Sequence, residues 1–309
     1  MDQQLLDTLR VIALPMKTNF RGITVREVAL FKGEYGWGEF SPFLEYEDAE
    51  AAHWLASAVE AATTPRPQLF HTSVAVNGTI PALNDAAQLQ SIVESFPGVK
   101  SFKVKVGVNL AEDLERVNVI RHLRPEAKIR VDVNGLWSVR QAEDFLSSVG
   151  EVEYVEQPCA SLEELRELKK RVSVKIVGDE ILRKAGNPFD INLDGAIDYL
   201  MLKVQPLGGI QRAHALAEHH KVPVIVSSAL ESAVGINYGL TLAASFEEMN
   251  FDCGLGTGSL LAQDVAHLPI VDGKIHFSEF EPDLDGLDVA PDRFEWWKNR
   301  IMRTAELLQ

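Results

Sequence analysis

Four residues able to do chemistry recur through the middle of the chain at nearly constant spacing. Asp132, Glu156, Asp179 and Lys203 are separated by 24, 23 and 24 residues, and one more step of 24 lands on Ser227. Each lies near the end of a short β-rich run: KIRVDVN, EVEYVEQP, VKIVGDE, DYLMLKVQ and VPVIVSS. If those runs are parallel strands of one sheet, three carboxylates and an ammonium group reach a common rim. Three anions at one place repel and raise one another's pKa, and a divalent cation removes that cost. Hard oxygen donors in this number, with positions left for water and substrate, suit Mg2+ better than Zn2+ or a fully caged Ca2+. Asp132, Glu156 and Asp179 are therefore the candidate metal ligands.

A second feature is the stretch SFKVKVG, Ser101 to Gly107. Side chains two apart on a strand point the same way, so Val104 and Val106 share one face while Ser101, Lys103 and Lys105 share the other. If the valines pack under a helix, the ammonium groups face the inside of the sheet, where an idle charge is costly. A closed barrel has no edge strand on which they could simply be solvated. A lysine beside a bound cation and other ammonium groups has a lowered pKa and can act as a base near neutrality. Such a base facing a metal suits removal of a weakly acidic proton next to a carboxylate, because the resulting enediolate must be held by positive charge. Lys105, Lys103 and, on the opposite side of the ring, Lys203 are the candidate catalytic residues.

The elements that must position these groups form a repeated pattern. Eight β-rich runs alternate with helix-like stretches: 72–77, 102–107, 128–134, 151–158, 174–180, 198–205, 222–228 and 250–256. Apolar residues at helical spacing, as in Leu114, Val117 and Ile120, or Leu162, Leu165 and Leu168, mark the helices. Strands alternating with helices argue for parallel βαβ units, and eight of them for a closed (β/α)8-type barrel with its active site on the C-terminal rim. Residues 1–70 break the period, with a hairpin-like TVREVALFKG–EYGWGEF and then a helical stretch. The tail holds another turn-linked pair, PIVDGKIHF, and a helix with Trp296 and Trp297 that reads as packing. The expected fold is α/β: a modified TIM-like barrel over 71–268, with an α+β capping domain formed from 1–70 and 269–309. The boundary falls near the proline-containing TTPRPQ, 63–68.

Bulk composition is that of an ordinary soluble globular protein. The 309 residues are 46% hydrophobic and 24% charged, and suffice for a real core. A net charge of −15 argues against nucleic acid or an anionic membrane as the main partner, and favours a monomer. A small anionic substrate remains compatible, because a few placed cations or a metal reverse the local field. Cys159 and Cys253 form neither a disulfide framework nor a metal-ligand pattern, and read as small buried residues of a reducing compartment. No apolar run is long enough to span a membrane, and the acidic N-terminus lacks a signal-peptide cleavage site. The expected location is the cytoplasm.

In this order, KVKVG, DVNG, EQP, GDE and LKVQPLGG resemble the enolase superfamily, in its muconate-cycloisomerase-like group, from about residue 101 to 210. The set is highly specific where no single motif is. The resemblance implies Lys105 as base with Lys103 beside it, Asp132, Glu156 and Asp179 on Mg2+, and Lys203 across the ring. A lysine base facing Mg2+ is a general pattern of that superfamily. Within the group, SSALESAVG (227–235) and NFRG (19–22) look most like the branch that dehydrates a succinyl-substituted hydroxycyclohexadiene carboxylate. That resemblance implies that Lys105 removes the proton beside the ring carboxylate and then helps the hydroxyl leave, while Lys203 stays charged over the ring face. The alternative is an N-acylamino acid racemase or dipeptide epimerase, in which the same lysine pair works from opposite faces. A barrel that only binds an acidic metabolite would lack one of these groups, and a Schiff-base aldolase has no use for three metal-spaced carboxylates.

The remaining candidates surround the rim. Ser228 and Glu231 read as a capping box opening a helix, whose N-terminus would also be an anion site for a succinyl carboxylate; Ser227 and Ser228 are the substrate-binding candidates there. GLGTG (254–258) lacks the spacing of a dinucleotide fingerprint, and Gly254 reads as a point of close backbone approach to substrate. The loop PMKTNFRG (15–22) is a candidate lid, with Phe20 and Arg21 facing the site. Arg130 and Asn134 share the face of Asp132 and read either as partners that support its carboxylate or, equally, as plain structural residues.

Overall fold

In the computed structural model, which describes residues 1–308, the N-terminal segment is a three-stranded antiparallel sheet of β1 (Arg10–Phe20), β2 (Ile23–Gly33) and β3 (Gly36–Phe40). PMKTNFRG is therefore not a loop. It continues β1, with a register shift between Pro15 and Phe20, and turns through Arg21 and Gly22, both at positive φ, into β2. Proline is tolerated because β1 is the edge strand. Helix Asp48–Thr63 lies flush on this sheet because two glycines leave room: a Cβ on Gly38 would sit 2.1 Å from the Ala58 carbonyl oxygen, and one on Gly33 2.4 Å from that of Ala62. The C-terminal helix Pro291–Glu306 packs on the same group, burying Trp297 and Ile301 against Phe40, Phe43 and Trp54.

The barrel follows. After β4 (Ser73–Ala75) come β5 (Gly78–Ile80), β6 (Ser101–Lys105), β7 (Lys128–Asp132), β8 (Tyr154–Glu156), β9 (Ile176–Gly178), β10 (Tyr199–Lys203) and β11 (Val224–Ser227). Strands β5 to β11 form one parallel sheet in sequence order. The eighth run, 250–256, is reduced to two residues that close the ring: Cys253 bridges Val76 and Gly254 bridges Ser227, both in parallel. Helices such as Leu110–Leu123, Ile210–His220 and Ala233–Ala244 cover the outside. Their apolar faces bury the outward residues Val104, Val131, Val155, Leu200, Leu202 and Val226.

Two sequence expectations change here. The run 72–77 is divided: its end meets Cys253 in the ring closure, but β4 itself pairs antiparallel with β13 (Lys274–His276), which is paired with β12 (Ile270–Val271). The pair PIVDGKIHF thus sits at the N-terminal end of the barrel rather than in the cap. The tail enters the cap later, where Leu284 and Leu287 pack with Ile12, Leu14 and Leu30, and Asp288 bridges Ile12. Both cysteines are free and buried, and among the described residues no helix is long and apolar enough to cross a membrane.

Candidate active site

The parallel register stacks the inward side chains in layers. Tyr154, Val177, Met201 and Ile225 form an interior cluster. One step further along the strands, Lys105, Asp132 and Glu156 are register partners, and Lys203 is level with Ser227. Asp179 follows the end of β9, where the chain turns into helix Glu180–Arg183. Lys103 starts a layer lower, level with Arg130, but its long side chain rises to the same plane.

There, lysines and carboxylates alternate, all of them buried or nearly so. Lys105 Nζ donates to Asp132 Oδ2 at 2.6 Å and to Asn134 Oδ1 at 2.7 Å. Lys103 Nζ donates to Glu156 Oε2 at 2.8 Å and lies 3.5 Å from Asp132 Oδ2. Lys203 Nζ donates to Asp179 Oδ2 at 2.5 Å and lies 3.8 Å from Glu156 Oε1. Strands β6 and β10, which bring Lys105 and Lys203, are separated by three others in the ring, so the two ammonium groups approach from different sides.

The charges are not equally comfortable. Burial would raise the Asp132 carboxyl, but Lys105, Lys103 and Lys203 hold it down at about 2. Asp179 is held low despite burial by Lys203 and Arg183. Glu156 goes the other way: burial, with Asp132 and Asp179 adding to it, pushes it up to about 7 against the pull of Lys103 and Lys203. Among the lysines, Lys103 and Lys203 are raised, because their carboxylate partners outweigh burial. Lys105 is lowered, chiefly by burial and further by Lys103 and Lys203, against the attraction of Asp132. Of the three, Lys105 gives up its proton most readily.

The expected convergence of three carboxylates on one point is not present as such: among the described residues no three His, Cys, Asp or Glu side chains stand in a metal-ligating group. Each carboxylate is drawn toward a lysine instead. The donor set nevertheless fits a hard cation. Glu156 Oε1 is buried with no hydrogen-bond partner, and its carboxyl resists ionisation where it stands. An unpartnered anionic oxygen between two further carboxylates is what a divalent ion relieves.

Neighbouring residues that strand alternation did not flag complete the site. Gln157 Oε1 accepts from the amides of Asp179 (2.9 Å) and Ile181 (3.2 Å), fixing the turn after β9. Arg183 lies 3.3 Å from Asp179 Oδ1 and donates to Glu180 Oε1 at 2.6 Å and to the Tyr46 hydroxyl, from the cap, at 3.2 Å. Asn134 Nδ2 donates to the same Glu180 oxygen at 3.0 Å, so Asn134 links Lys105 to Glu180. Alternation sends Glu180 outward; the helix that begins there brings it back. The usable signal was its position in GDE with Arg183 three residues on.

The candidate substrate-binding residues Phe20, Arg21, Ser227, Ser228 and Gly254 all line one cavity with Lys103, Lys105, Asp132, Asn134 and Lys203. Two expected roles change, and Arg130 loses one of its two. Arg130 touches none of the three carboxylates among the described residues. It lies a layer below them, over the Tyr154 ring, and binds Glu153, Asn77 and the Asp252 carbonyl, so it ties the barrel floor together. Ser228 is not a helix cap, since helix Ala233–Ala244 is capped by Ser232. The helix N-terminus is not free for a substrate carboxylate either: Glu39 accepts from the amides of Ser232 and Gly235, and Asp264 from that of Ala233. Ser228 Oγ instead donates to the Gly254 carbonyl at 2.5 Å and meets Thr257 Oγ1 at 2.9 Å. Gly254 is required by its neighbouring strand, because a Cβ there would sit 2.2 Å from Ser227 Oγ.

A small capping sheet over a parallel barrel, with lysines facing carboxylates at the rim, is the arrangement of the enolase class, and comparison with known proteins agrees. The "Enolase N-terminal domain-like" family model matches residues 11–62 and the "Enolase C-terminal domain-like" model residues 85–294. Among solved structures, the L-Ala-D/L-Glu epimerase of Bacillus subtilis superposes with TM-score 0.73 at 20% identity, covering 87% of this chain and 95% of its own. Muconate lactonizing enzyme from Pseudomonas fluorescens does so with TM-score 0.71 at 20% identity, over 94% and 97%. The o-succinylbenzoate synthase of Mycobacterium ulcerans (strain Agy99) is 48% identical over 98% of this chain and 95% of its own length. That of Mycobacterium tuberculosis (strain ATCC 25618 / H37Rv) is 47% identical over 99% and 96%. The chain belongs to the o-succinylbenzoate synthase family of the enolase superfamily.

Proposed function

We propose that this protein is an o-succinylbenzoate synthase, a hydro-lyase that converts 2-succinyl-6-hydroxy-2,4-cyclohexadiene-1-carboxylate to o-succinylbenzoate and water in menaquinone biosynthesis. Near-full-length identity of 47–48% to synthases of that name supports the reaction. The observation that carries the mechanism is that Lys105 lines the cavity, donating to Asp132 and Asn134, while Lys203 donates to Asp179 across the ring; burial disfavours the ammonium form of Lys105, and the carboxylate partners favour that of Lys203.

Asp132, Glu156 and Asp179 would hold a divalent cation, Mg2+ by the hardness of the donor set. When bound, that ion supplies fixed positive charge beside the ring carboxylate. Neutral Lys105 takes the proton from the carbon that bears the ring carboxylate. Lys103 and Lys203 remain ammonium groups and stabilise the negative charge that develops on the carboxylate. Lys105, now protonated, returns its proton to the departing 6-hydroxyl, so that a C–H and a C–O bond break, water leaves and the ring becomes aromatic. Asn134, 2.7 Å from Lys105 Nζ, orients the amine. The cap closes the cavity through Phe20 and Arg21, which excludes bulk water from the base.

The approach of Lys105 and Lys203 from different sides favours one second reading: racemisation of an N-acylamino acid, each lysine serving one face. The test is to supply the purified protein with the cyclohexadiene carboxylate and Mg2+, and follow loss of its absorbance. Turnover abolished by chelator supports the synthase. No turnover, with racemisation of an N-succinylamino acid instead, hands the site to the second reading.

A further inference from the structure

Arg26, on cap strand β2, is buried, yet among the described residues no carboxylate comes within 4.0 Å of its guanidinium. Buried charges are ordinarily paired. Arg26 bonds carbonyls instead: Nε donates to Leu230 O at 3.0 Å and Nη2 to Ser41 O. Leu230 lines the catalytic cavity with φ at 65°, a left-handed conformation that leucine rarely adopts and that its surroundings must enforce. Among the described residues the Leu230 N–H meets no acceptor. Arg26 also lies 4.6 Å from the centroid of the Phe43 ring, and Arg21 4.4 Å from the same ring. Phe43 is itself a wall of the cavity.

Charge accounting gives this wall a purpose. The substrate of the proposed function, on which this inference rests, carries two carboxylates. Lys103, Lys203 and the cation that the three carboxylates would hold serve the one on the reacting ring. Two cations of this wall are held by no carboxylate closer than 3.9 Å among the described residues: Arg21, at that distance from the exposed carboxylate of Glu45, and Arg26 behind the wall, which the buried carboxylates of Glu39 and Glu231 reach only at longer range. We propose that Arg26 is a positioning residue for recognition of the remote succinyl carboxylate: it holds the Leu230 turn and the Phe43 ring in place, and Arg21 meets the carboxylate in front of them.

The test compares two ligands by calorimetry on the Mg2+-loaded protein. One is o-succinylbenzoate. The other is 2-butanoylbenzoate, which has the same chain length with a methyl group in place of the remote carboxylate. Arg26→Met is expected to weaken o-succinylbenzoate about tenfold or more and 2-butanoylbenzoate less than about twofold, and to raise KM far more than it lowers kcat. Arg26→Lys keeps the charge but cannot reach both carbonyls; it is expected to lose the same selectivity, and it decides the matter if the methionine variant fails to fold. Equal weakening of both ligands, or of neither, overturns the inference and leaves the synthase reading intact. Wild-type protein that binds neither ligand and turns over no cyclohexadiene overturns that reading itself, and this inference with it.

Discussion

Replacing Glu156 by glutamine should make the metal-free protein more stable, which is unusual for a buried charged residue with a lysine 2.8 Å away. Glu156 has one oxygen bonded to Lys103 and the other with no hydrogen-bond partner, Lys203 standing 3.8 Å away. Its carboxyl is pushed from an ordinary 4.5 to about 7 by burial, with Asp132 and Asp179 adding to it. Because the folded-state value lies above the unfolded one, the unfolded chain loses its proton first as pH rises. The native state therefore loses stability from about pH 4.5 up to about pH 7 and levels off above that. At ~1.4 kcal/mol for each pKa unit, the full penalty is on the order of 3 kcal/mol. Glutamine keeps the shape and an acceptor for Lys103 but carries no charge, so it removes the penalty. Urea unfolding of chelator-treated wild-type and Glu156→Gln proteins at pH 4.5 and pH 8 reads this out. The variant should be close to wild type at the lower pH and more stable by about 2–3 kcal/mol at the higher. Added Mg2+ should then reverse the order, since stabilisation by a ligand requires its site. A metal-free variant less stable than wild type at pH 8, or one that gains as much from Mg2+, would refute the reasoning.

Other consequences follow from the same geometry. The rate should rise with pH with an inflection below the ordinary lysine value of 10.5, because Lys105 must be neutral to act; a pH profile of kcat/KM shows it, and a flat profile counts against the base. Lys203→Met removes the 2.5 Å donor to Asp179 and leaves buried carboxylates unpaired, so the metal-free protein should lose about 3–5 kcal/mol by chemical denaturation. Gly254→Ala should cost about 1–3 kcal/mol by overpacking against Ser227, and Ser227→Ala in the same chain should restore part of it in a thermal melt. Tyr46→Phe loses the 3.2 Å contact with Arg183 and should destabilise by only about 1 kcal/mol, measured the same way.

The rim was legible because a parallel barrel converts even spacing along the chain into one level in space. Asp132, Glu156, Asp179 and Lys203 each end a strand or follow it, so counting residues located them. The same logic placed Lys105 but left two roles open for Arg130, because alternation tells which residues face inward and not at which level. Arg130 is one pair of residues too early and lies with Tyr154 in the layer below. Glu180 and Arg183 were missed because the strand stops at Gly178 and a helix starts at Glu180, which changes the period from two to 3.6. The SSALES segment misled through local chemistry. Ser228 and Glu231 have the spacing of a capping box, but Glu39 from the cap already receives the amides of Ser232 and Gly235. No local pattern announces a partner nearly two hundred residues away. The eighth strand shrank to Cys253 and Gly254 for a similar reason, since bridges to Val76 on one side and Ser227 on the other are long-range pairings.

The central claim is that Lys105 removes the proton. The most direct measurement is turnover of 2-succinyl-6-hydroxy-2,4-cyclohexadiene-1-carboxylate by Lys105→Ala beside wild type, at saturating Mg2+, with circular dichroism and product binding confirming a folded site. The account predicts a fall in kcat of about 10³-fold or more, of the size general-base catalysis contributes, with o-succinylbenzoate still bound. A folded Lys105→Ala protein that dehydrates the substrate at near wild-type rate would contradict it, and the base would have to be sought elsewhere on the rim.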